Sequence, residues 1–92
     1  MEGTTPYEKA QWFLDLMEET AEILIRDDIA YFVLSDYVHD DYETFIYAFT
    51  ENAEPGVYLQ ANCPSDLFEQ KQETMWNYIA TATPNWAGVR SF

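Results

Sequence analysis

Hydrophobic residues near the start of the chain recur at three- and four-residue spacing, which is the period of one helical face. Thr5, Pro6 and Glu8 precede this pattern and supply an N-cap, a proline at the first helical position and a Thr-x-x-Glu capping box. The sequence therefore predicts a helix from Pro6 to Arg26. Its apolar face is formed by Ala10, Phe13, Leu14, Met17, Ala21 and Leu24.

Three segments rich in β-branched and aromatic residues follow, and they predict strands at Ile29–Val38, Tyr42–Thr50 and Val57–Asn62. Residues 39–41 read as a tight turn, and residues 52–56 contain the Pro and Gly that mark a second turn. Short connections of this kind favour an antiparallel meander.

The predicted hairpin register decides which side chains share a sheet face. If Asp40 and Asp41 form a two-residue turn, Phe32 pairs with Phe49 and Leu34 pairs with Tyr47. Alternation along the strands then places the following residues on one face: Phe32, Leu34, Phe45, Tyr47 and Phe49, joined by Val57, Leu59 and Ala61.

A second helix is predicted after Pro64, with Ser65 or Asp66 as its cap and Pro84 as its stop. Its apolar residues are Leu67 or Phe68, Met75, Ile79 and Ala82. The tail, residues 85–92, either packs on the core through Trp86, Val89 and Phe92 or adds an edge strand.

These elements predict one α+β domain spanning residues 1–92, since 92 residues leave no room for a second core. The predicted order is α-β-β-β-α, with a three-stranded antiparallel meander packed on two helices in two layers. Both helices then cover one sheet face and leave the other open. That open face carries Tyr31, Tyr37 and Tyr58, and tyrosine-rich mixed surfaces are typical of interfaces. A contact with a partner or with a second copy is expected there, although a plain solvated face has the same composition.

Charge is the feature that bears most on function. Seventeen Asp and Glu face four Lys and Arg, and the formal net charge is −13. Solubility needs a magnitude of about 2–8 in a small domain, so this excess indicates use in binding a basic partner. Direct binding of nucleic acid is not expected, because it requires Lys and Arg to replace counterions. No apolar run approaches the roughly 20 residues of a membrane span, and no signal peptide is visible, which favours the cytoplasm.

The carboxylates form two groups. The first is a stripe along the predicted first helix, and it consists of Glu8, Asp15, Glu18 and Glu22, flanked by Glu19 and extended by Asp27 and Asp28. The second lies around the predicted hairpin turn and consists of Asp36, Asp40, Asp41 and Glu43. An ordinary solvated helix face and a solvated turn are the alternative interpretations. Solvated helix faces normally mix both signs of charge, however, and only Lys9 and Arg26 are placed to relieve the stripe.

Catalytic and metal-binding chemistry is not expected. His39 is the lone histidine and has no nucleophile beside it, and the turn carboxylates match no calcium-loop spacing. No nucleotide-binding or hydrolase motif occurs, so we expect no catalytic residues, no cofactor and no metal. Cys63 is the only cysteine and is interpreted as a small buried apolar residue.

The short acidic chain, with its α-β-β-β-α order and Glu- and Asp-rich surface, resembles the small anti-CRISPR and anti-restriction DNA mimics of phages. The resemblance is one of character and topology, without a shared motif. It implies a non-enzymatic inhibitor that occupies the nucleic-acid channel of a host Cas effector or restriction complex. An acidic chaperone or immunity protein that binds a basic effector or toxin is the alternative. A halophilic protein, which molar salt would stabilise strongly, is the third interpretation.

Overall fold

The computed structural model describes residues 5–51, 58–81 and 89–92. Within these ranges the chain forms two helices and five strands. In chain order they are α1 (Pro6–Met17), β1 (Leu24–Arg26), β2 (Ile29–Val38), β3 (Asp41–Thr50), β4 (Leu59–Pro64), a 3-10 turn (Ser65–Leu67), α2 (Phe68–Thr81) and β5 (Val89–Ser91).

The described strands form one mixed sheet in the order β1-β2-β3-β4-β5. The first four strands are antiparallel neighbours, and β5 pairs parallel to β4 after the chain has crossed through α2. The prediction of an α+β fold is confirmed. The three-stranded meander is too simple, because β1 and β5 add a strand at each edge.

Helix α1 begins as predicted and ends earlier. The Glu8 N–H donates to Thr5 Oγ1 at 3.2 Å, and Pro6 occupies the first turn. The helix ends at Met17 and not at Arg26, because Glu18 adopts a left-handed cap with φ 58°. Carboxylates lie at this C-terminus, where negative charge interacts unfavourably with the helix dipole. The last turn has no basic residue to offset them.

Strand β1 replaces the last turns of the predicted first helix. Arg26 pairs with Ile29 across a two-residue turn in which Asp27 and Asp28 both have positive φ, 52° and 63°. Hairpin turns of this geometry favour Asp and Asn, which tolerate left-handed backbone better than most residues. Asp27-Asp28 is therefore a turn and not an extension of a helix.

The β2–β3 hairpin has the predicted faces with a different register. Phe32 pairs with Tyr47, and Val38 pairs with Asp41, so the two turn residues are His39 and Asp40. Both have positive φ, 51° and 65°. The predicted pairing of Phe32 with Phe49 is wrong by two residues, and a shift of two keeps every side chain on its face.

The two helices lie on opposite faces of the sheet, so the predicted two-layer arrangement is wrong. Helix α1 buries Ala10 and Leu14 against Ala30, Phe32 and Phe49. Helix α2 packs on the other face, where its buried residues Met75, Trp76 and Ile79 meet the following strand residues: Ile29, Ile46, Ala48, Ala61 and Cys63. The sheet is the middle layer of three, and neither face of its centre is open.

Strand β4 shows the opposite alternation from the one predicted. Ala61 pairs with Ile46, which places Leu59 and Ala61 on the α2 face and not with Phe45 and Tyr47. The length of the connection from β3 to β4 decides this parity, and residues 52–57, with Val57, lie outside the described residues.

Helix α2 confirms the apolar positions Met75 and Ile79. Ser65 and Asp66 belong to the preceding 3-10 turn, whose cap has no side-chain hydrogen bond. Ala82, Pro84 and Trp86 lie outside the described residues. Both alternatives for the tail hold in its described part, because Val89–Ser91 is an edge strand and Phe92 packs against Tyr78 at 6.0 Å between ring centroids.

Candidate protein-binding surface

Residues 36–43 form the end of the β2–β3 hairpin and are called the hairpin arm below. The turn at His39 and Asp40 brings together the four carboxylates that the sequence grouped there. They are Asp36, Asp40, Asp41 and Glu43. All except the half-buried Glu43 are exposed.

Hydrogen bonds from neighbouring residues orient three of these carboxylates. Asp36 Oδ1 accepts the Tyr37 N–H at 2.8 Å, and Asp41 Oδ1 accepts the Tyr42 N–H at the same distance. The Tyr37 hydroxyl donates to Asp40 Oδ1 at 3.3 Å. Each carboxylate keeps an oxygen that these bonds do not use, so the hairpin arm presents preoriented acceptors to a donor from outside.

One side of the hairpin arm carries an aromatic pair. Tyr37 and Tyr42 are opposite each other in the register, and their rings meet edge to face with centroids 5.4 Å apart. They remain 58% and 60% exposed. Exposed tyrosine rings beside carboxylates suit lysine and arginine side chains, because the ring face and the carboxylate both attract a cation.

The other side of the hairpin arm holds a like-charge pair. Asp36 and Glu43 lie directly opposite each other on neighbouring strands, an arrangement that destabilises a sheet. Glu43 Oε1 accepts a hydrogen bond of 2.7 Å from Asn62 Nδ2, a buried side chain on β4. This bond fixes Glu43 without neutralising it, so the repulsion from Asp36 persists.

A second acidic turn lies at the far end of β2. Asp27 and Asp28 are exposed and are separated from the turn at His39 and Asp40 by the length of that strand. Ten residues at about 3.3 Å each put the two turns roughly 30 Å apart. The carboxylates thus lie at both ends of β2, in a molecule whose longest dimension is 40 Å.

The predicted helical stripe is interrupted. Asp15 lies on α1 and accepts a bond of 3.0 Å from Gln11 Nε2. Glu18 is the left-handed cap, and Glu19 and Glu22 follow in the segment that leads to β1. All four are exposed, but they do not share one helical face, because the helix has ended before Glu18.

Of the three tyrosines predicted on an open face, only Tyr37 is exposed. Tyr31 is covered by α2, with its ring centroid 5.2 Å from that of Trp76. Tyr58 faces α1, where its ring lies 4.4 Å from that of Phe13. The predicted open tyrosine face is therefore absent from the described residues. A homodimer that uses this face has no exposed surface there. Tyr42 was not among the predicted contact residues, although its place beside Asp41 could have indicated it.

The four basic residues all lie in the described part of the chain, and all lie outside the hairpin arm. Lys9 Nζ donates to the carbonyls of Thr50 and Glu51, both at 2.9 Å, where β3 ends. Arg26 lies over the Trp76 ring at 4.6 Å and 3.5 Å from Glu73.

The other two bases are associated with α2. Arg90 lies 5.6 Å from the centroid of the Tyr78 ring, and Lys71 is part of α2 itself. The hairpin arm therefore contains no lysine or arginine, and His39 is its one imidazole.

Within the described residues, no group of three or more His, Cys, Asp and Glu side chains is arranged to hold a metal ion. Two further cavities lie away from the hairpin arm. One is lined in part by Thr5, Tyr7 and Ile25, and the other lies between α2 and the strands at Tyr31 and Val33.

Cys63 is a free, fully buried thiol, as the sequence indicated. Burial raises the pKa of this thiol, the Glu43 carboxylate raises it further, and Lys71 opposes both.

We expect Ellman's reagent at pH 8 to modify native Cys63 at least about a thousandfold more slowly than the unfolded chain, because reaction requires opening of the core. Labelling in buffer and in 6 M guanidinium measures the ratio. Equal rates would show that the thiol is accessible.

Comparison of the chain with family models, curated proteins and solved structures finds no match. In the described part of the chain, neither helix has the length and apolar character needed to cross a membrane. The interpretation of the surface therefore depends on its own geometry and charge.

Proposed function

We propose that this protein is a non-enzymatic inhibitor that occupies the basic nucleic-acid-binding surface of a defence nuclease, a Cas effector or a restriction complex. The observation that carries the proposal is the distribution of charge. Carboxylates occupy both turns of β2, the end of α1 and the segment after it, while none of the four bases lies in the hairpin arm.

The linear charge density supports mimicry of nucleic acid. A net charge of −13 over a long axis of 40 Å is about half the density of duplex DNA, which carries one phosphate per roughly 1.7 Å. Basic channels that bind phosphates are attracted to such a surface over a Debye length of about 10 Å. The acidic turns, held in the left-handed region by hairpin geometry, keep their carboxylates at defined positions.

A chaperone or immunity protein for a basic effector is the second candidate, and the Tyr37–Tyr42 pair favours it. Exposed rings in edge-to-face contact make a rigid apolar surface that phosphate mimicry does not require. A protein interface uses such rings as anchors.

Capture of partners from a host lysate, followed by competition on the purified partner, tests the proposal. We expect the captured protein to bind DNA or RNA, and we expect this protein to displace labelled duplex or guide–target hybrid from it. The competition should weaken steeply between about 50 and 200 mM salt. A partner that has no affinity for nucleic acid, or that binds labelled DNA and this protein simultaneously, would contradict mimicry and favour the second candidate.

A further inference from the structure

The early end of α1 leaves part of its sheet face without a helix above it. A groove of about 340 Å³ lies there, next to the hairpin arm, with Leu34, Phe45 and Tyr47 as its apolar floor and Met17 as one wall. All four side chains are only half-buried. This volume is at the lower end of small-ligand pockets and fits one long side chain, not a helix or strand.

The rim of the groove is acidic. Glu19 and Asp36 line it, and the repulsive pairing of Asp36 with Glu43 lies at its edge. Burial raises the pKa of the Tyr47 hydroxyl, and the nearby Tyr58, Asp36 and Glu19 raise it further, as expected where negative potential accumulates. No lysine or arginine of this chain is among the residues that line the groove.

The floor is held rigid by packing. The Tyr47 ring stacks on Phe32 with centroids 5.1 Å apart and meets Phe13 at 5.6 Å. Phe32 is fully buried and is the cross-strand partner of Tyr47, so the Tyr47 ring is held from the side by a fixed neighbour. A rigid aromatic floor beneath two carboxylates is complementary to a planar cation with an aliphatic stem.

We propose that this groove receives one arginine side chain of the basic partner, with its guanidinium between Glu19 and Asp36 and its stem on Leu34, Phe45 and Tyr47. The proposal rests on the proposed function only in requiring a basic protein partner. Arginine fits better than lysine, because its flat fork donates to two carboxylates at once and stacks on an aromatic ring. Binding also relieves the repulsion between Asp36 and Glu43.

Two peptides, nona-arginine and nona-lysine, serve as probes in a titration of the isotopically labelled protein followed by nuclear magnetic resonance at 50 mM salt. We expect nona-arginine to bind more tightly and to shift the amides of Leu34, Ser35 and Phe45 and the Tyr47 ring. The groove variant, Glu19→Gln with Asp36→Asn, should lose about tenfold in affinity for nona-arginine and lose the preference over nona-lysine.

The control variant, Glu69→Gln with Glu73→Gln, removes the same charge from α2 on the opposite face and should change affinity about twofold or less. Far-UV circular dichroism checks that both variants fold. Equal losses in both variants, with no preference for arginine, would overturn the groove while leaving diffuse binding of a basic partner intact. Absence of binding by either peptide to the wild type would overturn the proposed function and the groove together.

Discussion

Replacing Lys9 with methionine is expected to lower the free energy of unfolding by about 2–4 kcal/mol, a large part of what a domain of this size possesses. The ammonium group is almost fully buried, with 4% of the residue exposed, and it donates to the carbonyls of Thr50 and Glu51 where β3 ends. Methionine keeps the stem but leaves both oxygens without this donor. The loss of one positive charge also increases self-repulsion in a chain of net charge −13.

Urea unfolding followed by circular dichroism measures this effect, and Lys71→Met provides the control. Lys71 is half-buried on α2, so its replacement changes the net charge by the same amount without removing the contact between α1 and β3. We expect the control to change stability by less than about 1 kcal/mol. Equal losses for the two variants would show that net charge, and not the buried contact, governs the effect.

The start of α1 could be predicted because its signal is local. Thr5 Oγ1 accepts the Glu8 N–H, and Pro6 has no N–H that needs a partner, so the first turn depends little on the rest of the fold. The end of α1 could not be predicted from its apolar spacing, because Ala21, Ile23 and Leu24 suit a helix face and an edge strand equally well. The adjacent aspartates Asp27 and Asp28 are the sequence signal for the β1–β2 hairpin, because two neighbouring residues with positive φ form its turn.

The sequence also contains a signal that the two helices cover opposite faces of the sheet. Residues 29–34 are apolar without interruption, which indicates a strand buried on both faces. The two-layer prediction uses only the alternate residues such as Phe32 and Leu34 as core, and it places Tyr31 and Val33 on the open face. The structure covers that face with Trp76. The faces taken by the β4 residues could not be predicted from β4 itself. They depend on the length of the connection from β3, which sets the register between the two strands.

The carboxylates at the hairpin turn were predicted as a group because they are adjacent in sequence. The proximity of Glu19 to this group could not be predicted from sequence. Glu19 lies beside Asp36 and Tyr47 because the left-handed cap at Glu18 ends α1 there. The groove therefore exists because α1 ends at Met17, and the apolar spacing of the sequence does not predict that end.

Reversing two charges of the hairpin arm, Asp36→Lys with Asp41→Lys, is expected to weaken binding to the basic partner by about a hundredfold or more. Each substitution removes an attraction and adds a repulsion against the partner's cations. Both residues are exposed and neither bonds to the core, so the fold should persist. Stability should hold or rise, because Lys at Asp36 turns its repulsion from Glu43 into attraction.

Competition against labelled nucleic acid on the captured partner measures the change, with two charge-matched variants beside it. Glu69→Lys with Glu73→Lys alters α2 by the same four charge units, and Asp15→Lys with Glu22→Lys alters the former helical stripe. Because surface charges are screened beyond about 10 Å, the α2 variant should lose far less affinity than the hairpin-arm variant. A large loss in the stripe variant would extend the contact to α1 and the segment after it, as a phosphate mimic requires. Losses of equal size in all three would mean that the partner responds to total charge, and the hairpin arm would then have no special role.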